Sequence, residues 1–473
     1  MVKSHACVAS NAIGSSASPG PMTADVVVIG GGPAGSTISA LLAERGFRVT
    51  LLEKAHHPRF HIGESLLPAN MALLERLGVA DEVAALGMEK WGIEFVSPWH
   101  EHRTTLEFAQ AWDKSMSKAY QVRRADFDHV LIRNAARKGA TVVEGCRVRA
   151  VDLRDNGSGG LVTAERDDGA TVHYDARMVV DASGRDTVLA NQLGAKRKNK
   201  AHNSAAMYGH FENVERLPGK LEGNISIFWF AHGWFWFIPL SDGATSIGAV
   251  CWPYYLKTRA KDRSLEDFFM DTIALCAPLA ERLQRARLLN GVEATGNYSY
   301  TTTHAQGPSH LLLGDAFAFV DPVFSSGVYL AMNSAFVGAD LVTARLNQPA
   351  RAKAVTRRFD RVMLKGPREF SWFIYRVTNP TMRDLFMAPK NVLRVREALL
   401  SLFAGDIFGK TPIWPSIFVF KSIYWISSAF NARRTHEALR RRRVNIRDVE
   451  APTGSPAGAA AGASGIASVR ASV

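Results

Sequence analysis

Three adjacent features of the sequence predict an α/β fold. Asp25-Val-Val-Val-Ile29 is a short β-branched run of the kind found in a parallel strand covered on both faces. Gly30-Gly-Gly-Pro-Ala-Gly35 breaks it. Small and apolar residues then recur at helical spacing from Ser36 to Arg45, until Gly46, placed as a C′ glycine, ends the helix. A second apolar strand, Val49 to Leu52, runs into Glu53. Folding is expected to begin at Ala24.

Further along, Met178-Val-Val-Asp-Ala-Ser-Gly184 and Leu311-Leu-Leu-Gly-Asp-Ala316 each read as a strand breaking at a Gly/Asp turn. From about Ser334 the pattern turns helical and increasingly basic. This divides the chain into a disordered lead-in (1–23), a main α/β region (24–345), a mainly helical region (346–450) and a disordered tail (451–473), the last almost wholly Ala, Gly, Ser, Pro and Val. No internal repeat of fixed period is present.

Composition narrows the function. With 473 residues, 47% hydrophobic and 21% charged, the chain can bury a substantial core, which excludes global disorder. The net charge is +13, and much of the excess is local: seven arginines face one acid, Glu437, between Arg433 and Arg447. A basic tail of that kind does not imply nucleic-acid binding. Four scattered cysteines (Cys7, Cys146, Cys251, Cys276) lack C-x-x-C spacing, so neither a disulfide framework nor a metal site is expected. The first 22 residues lack the apolar core of a secretion signal. Ile413 to Phe430, interrupted by Pro415 and Lys421, falls short of the roughly 20 apolar residues of a membrane span. A soluble, cytoplasmic protein is expected.

Gly30, Gly32 and Gly35 form G-x-G-x-x-G, a weak pattern alone. Between a buried strand and a helix, with Glu53 about 20 residues beyond the turn, it becomes a Rossmann-like dinucleotide cradle. Gly30 permits the tight turn, Gly32 lets backbone approach a pyrophosphate, and Gly35 lets helix pack on strand. The helix N-terminus supplies amides and positive dipole, and Glu53 can accept from ribose hydroxyls.

Arg124-Ala-Asp-Phe-Asp128, Asp181-Ala-Ser-Gly184 and Gly314-Asp315 resemble the flavin-contacting motifs of FAD-dependent monooxygenases and halogenases. The resemblance implies a Rossmann-like FAD-binding domain interleaved with a β-sheet substrate domain, with a helical C-terminal region. Gly30, Gly32, Ala34, Gly35, Glu53, Arg124 and Asp315 would bind FAD. No second G-x-G-x-x-G is present for NAD(P)H.

Three further segments resemble flavin-dependent halogenases, over roughly residues 24 to 375. Gly233-Trp-Phe-Trp-Phe-Ile-Pro239 contains the family's W-x-W-x-I-P, here Trp234, Trp236, Ile238 and Pro239. A period-2 strand puts Trp234, Trp236 and Ile238 on one face and Phe235 and Phe237 on the other, so burial on both sides is expected. In the family its bulk keeps the organic substrate from the flavin hydroperoxide. Phe319-Val-Asp-Pro-Val-Phe-Ser-Ser-Gly-Val328 resembles the segment that closes over the flavin. Ser325, Ser326 and Gly327 can present N–H groups to an anion. By resemblance Ser326 and Gly327 contact halide and Val328 the flavin. Pro58-Arg-Phe-His-Ile-Gly-Glu-Ser-Leu-Leu-Pro68 carries the G-E-[ST] wording that the family places along the flavin edge; Glu64 could equally be a solvated loop charge or a helix cap.

Lys90, in Met88-Glu-Lys-Trp-Gly-Ile-Glu-Phe95, stands where halogenases carry an essential lysine. In the family, reduced flavin and O2 give a C4a-hydroperoxide, and chloride or bromide attacks it to yield hypohalous acid. The lysine then polarises that acid or forms a haloamine. Either role needs a buried lysine of depressed pKa.

The wording fits the phenol- and pyrrole-directed branch. Tryptophan halogenases carry a catalytic Glu just before the Ser-Thr-Gly of the halide turn, and Phe324 stands there in this sequence. The resemblance therefore implies an activated arene, phenol or pyrrole, as substrate, a separate flavin reductase, and a substrate that may ride on an acyl or peptidyl carrier protein. For Ser416 to Phe430 and the following arginines three readings stand: a helix over the substrate cleft, docking to an acidic carrier, or peripheral contact with anionic lipid. The alternative activity is aromatic hydroxylation by a flavin monooxygenase. An isoprenoid-type reductase and a non-catalytic flavin or carrier-docking protein are more remote.

Overall fold

The computed structural model describes residues 20–199, 204–296 and 299–440. The expected tail, 451–473, and most of the expected lead-in lie outside them. The first strand is Met22–Ile29, so regular structure begins two residues ahead of Ala24.

The first sheet has a parallel centre. Met22–Ile29 pairs on one side with Val49–Leu52, which pairs with Thr141–Val143, and on the other with Thr171–Asp181, which pairs with His310–Leu312. Val26, Val27 and Val28 are fully buried, as a strand covered on both faces requires. Pro33–Glu44 crosses between the first two strands and packs against Arg124–Arg137 and Ser326–Asn347. Proline at its first turn loses no hydrogen bond there, and the chain leaves it through Gly46 at φ +85°.

The second sheet is drawn from two stretches interleaved with the first. Its centre runs Ala205–Glu212, Thr245–Cys251, Gly233–Pro239, Ile225–Phe230 and Gly92–Val96. All seven residues of Gly233–Pro239 are buried. Trp234, Trp236 and Ile238 join the main core shared with the first sheet, while Phe235 and Phe237 join a second core with Phe228, Phe269 and Leu279. The period-2 reading of this strand holds because each face has its own apolar partner. Gly248, opposite Trp236, is required: a Cβ there would meet the indole at 2.1 Å.

The helical region starts earlier than the sequence suggests, at Ser326 rather than near Ser334. Ser325 takes φ +56° and turns the chain directly into a 22-residue helix, so Gly327 lies inside its first turn instead of in a preceding loop. Pro349–Ile374, Pro380–Met387, Val395–Ala404 and Trp414–Phe430 follow; the first packs on Ser326–Asn347, the second on Gly92–Val96 of the second sheet, and the last on the second and third.

Candidate active site

The glycine turn opens onto a cleft of about 940 Å³, near the upper end of the roughly 300–1,000 Å³ usual for small-molecule sites. Each glycine has a distinct steric reason. Gly30 sits at φ +99°, and a Cβ on Gly35 would lie 1.8 Å from the Gly30 carbonyl oxygen. At Gly32 a Cβ would meet only the Arg59 guanidinium, at 3.7 Å, so this backbone faces the cleft. Gly30, Gly32, Ala34, Glu53, Arg124, Asp315, Gly327 and Val328 all line it; Gly35 supports it from behind.

Glu53 is fixed by backbone donors. Its carboxylate accepts from the N–H of Gly31 at 2.5 Å and of Ala55 at 2.9 Å, with Arg59 Nε 3.8 Å away. Arg124 is clamped in two directions. It donates from Nε and Nη2 to the two oxygens of Asp128, both at 2.9 Å, and from Nη1 to the Ile62 carbonyl at 2.9 Å. Burial alone would raise the Asp128 carboxyl, yet Arg124 and Arg59 hold it below its ordinary value. At the far wall burial pushes Asp315 up to about 6, against the pull of Arg124 and Arg185.

Arg59, His61 and Arg185 also line the cleft, and sequence reasoning did not single them out. Their signal was available: two belong to the Pro58–Pro68 segment and the third follows Asp-Ala-Ser-Gly. Burial, with Arg124 nearby, pushes His61 down to about 4, which leaves it neutral at neutral pH.

The Pro58–Pro68 segment is a strap joining the cleft to Lys90. Arg59, Phe60 and His61 border the cleft. Glu64, 2% exposed, meets His210 Nε2 of the second sheet at 2.9 Å, so it is neither a solvated loop charge nor a helix cap. The next two residues hold the lysine. Lys90 Nζ donates to Ser65 Oγ at 2.9 Å and to the Leu66 carbonyl at 3.0 Å, and lies 5.4 Å from the Phe108 ring centre. Lys90 is fully buried at the end of Met88–Lys90, paired with Ala119–Gln121. No carboxylate of the described residues pairs with it, and burial lowers its pKa from 10.5 to about 7. His210 is a further residue that the sequence did not reveal, and Ser65, though part of the G-E-[ST] wording, had no role assigned there.

The halide-type turn is now specific. The Ser325 N–H is already donated to the Pro322 carbonyl, so Ser325 contributes no free amide. Ser326 and Gly327 open the helix, where the first N–H groups have no acceptor within it and the dipole is positive. Phe324 stacks on Phe403 at 4.7 Å and meets Phe373 and Phe386 edge-on. The W-x-W-x-I-P strand does not reach the cleft wall. Trp236 lies 5.9 Å from the Tyr208 ring, which stacks at 6.3 Å on Phe60.

Residues 23–356 match a family model described as an FAD binding domain. The fold superposes on the myxobacterial chondrochloren halogenase CndH with a TM-score of 0.71 and 35% identity, covering 84% of this chain and 93% of that one. The chain belongs to the flavin-dependent halogenase family. Its sequence is also 34% identical over 324 residues to a tryptophan 2-halogenase of Chondromyces crocatus, covering 67% of this chain and 61% of that protein's length. A 1H-pyrrole-2-carbonyl-(peptidyl-carrier protein) chlorinase of Pseudomonas fluorescens is 29% identical over 411 residues, covering 81% and 89%. Relatives named for tryptophan and for a pyrrole thus both resemble this chain, and membership alone does not select an arene. The cleft fits FAD: an open glycine backbone at Gly32, clustered arginines for the phosphates, and a carboxylate at Glu53 for a ribose.

Proposed function

We propose that this halogenase installs chlorine or bromine on an electron-rich arene, a phenol or a pyrrole, and that Lys90 delivers the oxidised halogen. The observation that carries this reading is Lys90 itself. It is a buried amine with no carboxylate partner among the described residues and a pKa near 7, held by the same strap that borders the cleft.

Gly30, Gly32, Ala34, Gly35, Glu53, Arg124, Asp315 and Val328 hold FAD, with Arg124 immobilised by Asp128 and Ile62. Bound reduced FAD and O2 supply the oxidising power that converts halide to hypohalous acid. Over the whole turnover one O2, one halide, one proton and reduced flavin with its two hydrogens act on the arene; the products are haloarene, oxidised flavin and two waters. The N–H groups of Ser326 and Gly327 hold the halide at the positive end of a 22-residue helix. Trp234, Trp236, Ile238 and Pro239 fill the space behind Phe60 and Tyr208 and keep that side of the site dry. Glu64 anchors the strap through His210.

At neutral pH Lys90 divides between two forms. The ammonium donates a hydrogen bond to the hypohalous oxygen and draws electrons from the halogen. The amine takes the halogen as N–X and releases water. Both present electrophilic halogen at Nζ. Phe324, within a ring cluster, offers no charge for a cationic ring intermediate, so the arene's own hydroxyl or ring nitrogen must support it.

By the family resemblance, reduced FAD comes from a separate flavin reductase. The carrier-protein chlorinase aligns over 81% of this chain, which favours a carrier-tethered substrate. The test is product mass with FAD, a generic flavin reductase, NADH, O2 and both halides, on phenols, pyrroles and hydroxybenzoates, free and carrier-loaded. A halogen isotope pattern supports the reading. A gain of one oxygen independent of halide makes the protein a hydroxylase.

A further inference from the structure

Trp414–Phe430 has two apolar faces. Ile417, Phe420 and Tyr424 point inward, and Phe420 stacks on Phe373 at 5.8 Å and Phe386 at 6.2 Å. The other face is uncovered by the described residues: Phe418 is 72% exposed, Trp425 54%, Ile426 58% and Phe430 89%. At 100° per residue these side chains fall along one side of the helix, with Ser422 and Ala429 between them. The ridge continues onto the preceding loop, where Leu393 is 69% exposed and its carbonyl accepts from Ser416 Oγ at 2.8 Å. A row of this kind is rare on a protein that leaves it in water.

Positive charge flanks the ridge. Arg394 lies at its start, and residues 432–440 form a further helical stretch bearing Arg433, Arg434 and Arg440. In sequence three more arginines follow directly, Arg441 to Arg443. Three of these arginines face acids, Arg394 with Glu397 at 3.6 Å, Arg433 with Glu437 at 3.7 Å and Arg434 with Asp384 at 3.3 Å, while Arg440 faces none among the described residues. No helix among the described residues is long and apolar enough to cross a membrane.

We propose that this face docks on an anionic lipid surface, with Trp414–Phe430 lying flat and Phe418, Trp425, Ile426 and Phe430 entering the headgroup–acyl boundary. Bulky side chains that stand this far into solvent suit a deformable apolar phase better than a rigid partner that must match them. A second copy would bring the same arginines against these. Apolar insertion and basic flanks together are what interfacial attachment requires, since either alone binds weakly. The inference does not depend on the halogenase chemistry.

The 473-residue chain is sedimented with phosphatidylcholine vesicles, with and without phosphatidylglycerol, at low and high salt. Partition onto the anionic vesicles is expected to exceed that onto neutral ones by about tenfold or more and to fall with salt. Phe418→Ser/Trp425→Ser/Phe430→Ser should lower it by about tenfold with FAD binding intact, because the three side chains are exposed and their removal opens no cavity. Arg433→Glu/Arg440→Glu should abolish the preference for anionic lipid. Equal sedimentation with and without phosphatidylglycerol, or a triple-serine variant that binds like wild type, overturns the proposal. So does salt-sensitive capture of an acidic carrier protein, or a dimer broken by the serine substitutions, if vesicles are not bound.

Discussion

At Lys90, burial and hydrogen bonding act on the same proton in opposite directions. Burial lowers the pKa from 10.5 to about 7, while Ser65 Oγ and the Leu66 carbonyl accept from the ammonium and favour it. The sign of the stability effect follows. The unfolded chain stays protonated to about 10.5 and the folded chain only to about 7. The lysine therefore destabilises the fold fully below pH 7, and this effect fades as pH rises towards 10.5. Lys90→Met should accordingly gain on wild type by a few kcal/mol near pH 6.5, with a smaller gain at pH 9.5, in urea titrations at each pH. Ser65→Ala removes an acceptor that binds the charged form more strongly than the neutral amine. It should shift the pH inflection of arene halogenation below that of wild type and slow turnover by about tenfold, leaving FAD affinity unchanged. An unshifted inflection would assign Ser65 to packing alone.

The glycine turn is the element whose parts separate most cleanly. Gly35→Ala drives a methyl to within 1.8 Å of the Gly30 oxygen, whereas Gly32→Ala meets nothing closer than 3.7 Å. The first should cost more than about 3 kcal/mol in stability and the second less than about 0.5. Gly32→Ala should nonetheless weaken FAD binding by about tenfold or more, since its new methyl stands where a phosphate approaches. Melting temperature and FAD titration on both variants read the two effects apart. This turn was legible in the sequence because its rules are local: a strand, three spaced glycines and an acid within thirty residues. The Trp234–Pro239 strand was legible for the same reason, its faces being set by alternation alone. The helix at Ser326 was not, because Gly327 reads as a turn until the backbone of Ser325 shows where the turn ends.

Over the whole molecule, two sheets are joined by contacts between residues far apart in sequence, and these the sequence conceals. Glu64 and His210 are 146 residues apart, and no spacing rule relates them. Their pairing ties the strap, and through Ser65 the lysine, to the second sheet. Glu64→Ala leaves a buried imidazole without its partner and should lower unfolding free energy by about 2–4 kcal/mol, measured by urea titration. In the sequence the role proposed for Lys90 rests on resemblance alone; its burial and lowered pKa come with the fold. The central claim is that this amine stands between halide oxidation and the ring. It is tested most directly by giving Lys90→Ala reduced FAD, O2 and bromide, with a phenol or pyrrole substrate and a trap for free hypohalous acid. The account predicts normal FAD binding, continued release of hypohalous acid into the trap, and arene halogenation reduced at least about a hundredfold. Arene halogenation at the wild-type rate, with FAD bound, would contradict it.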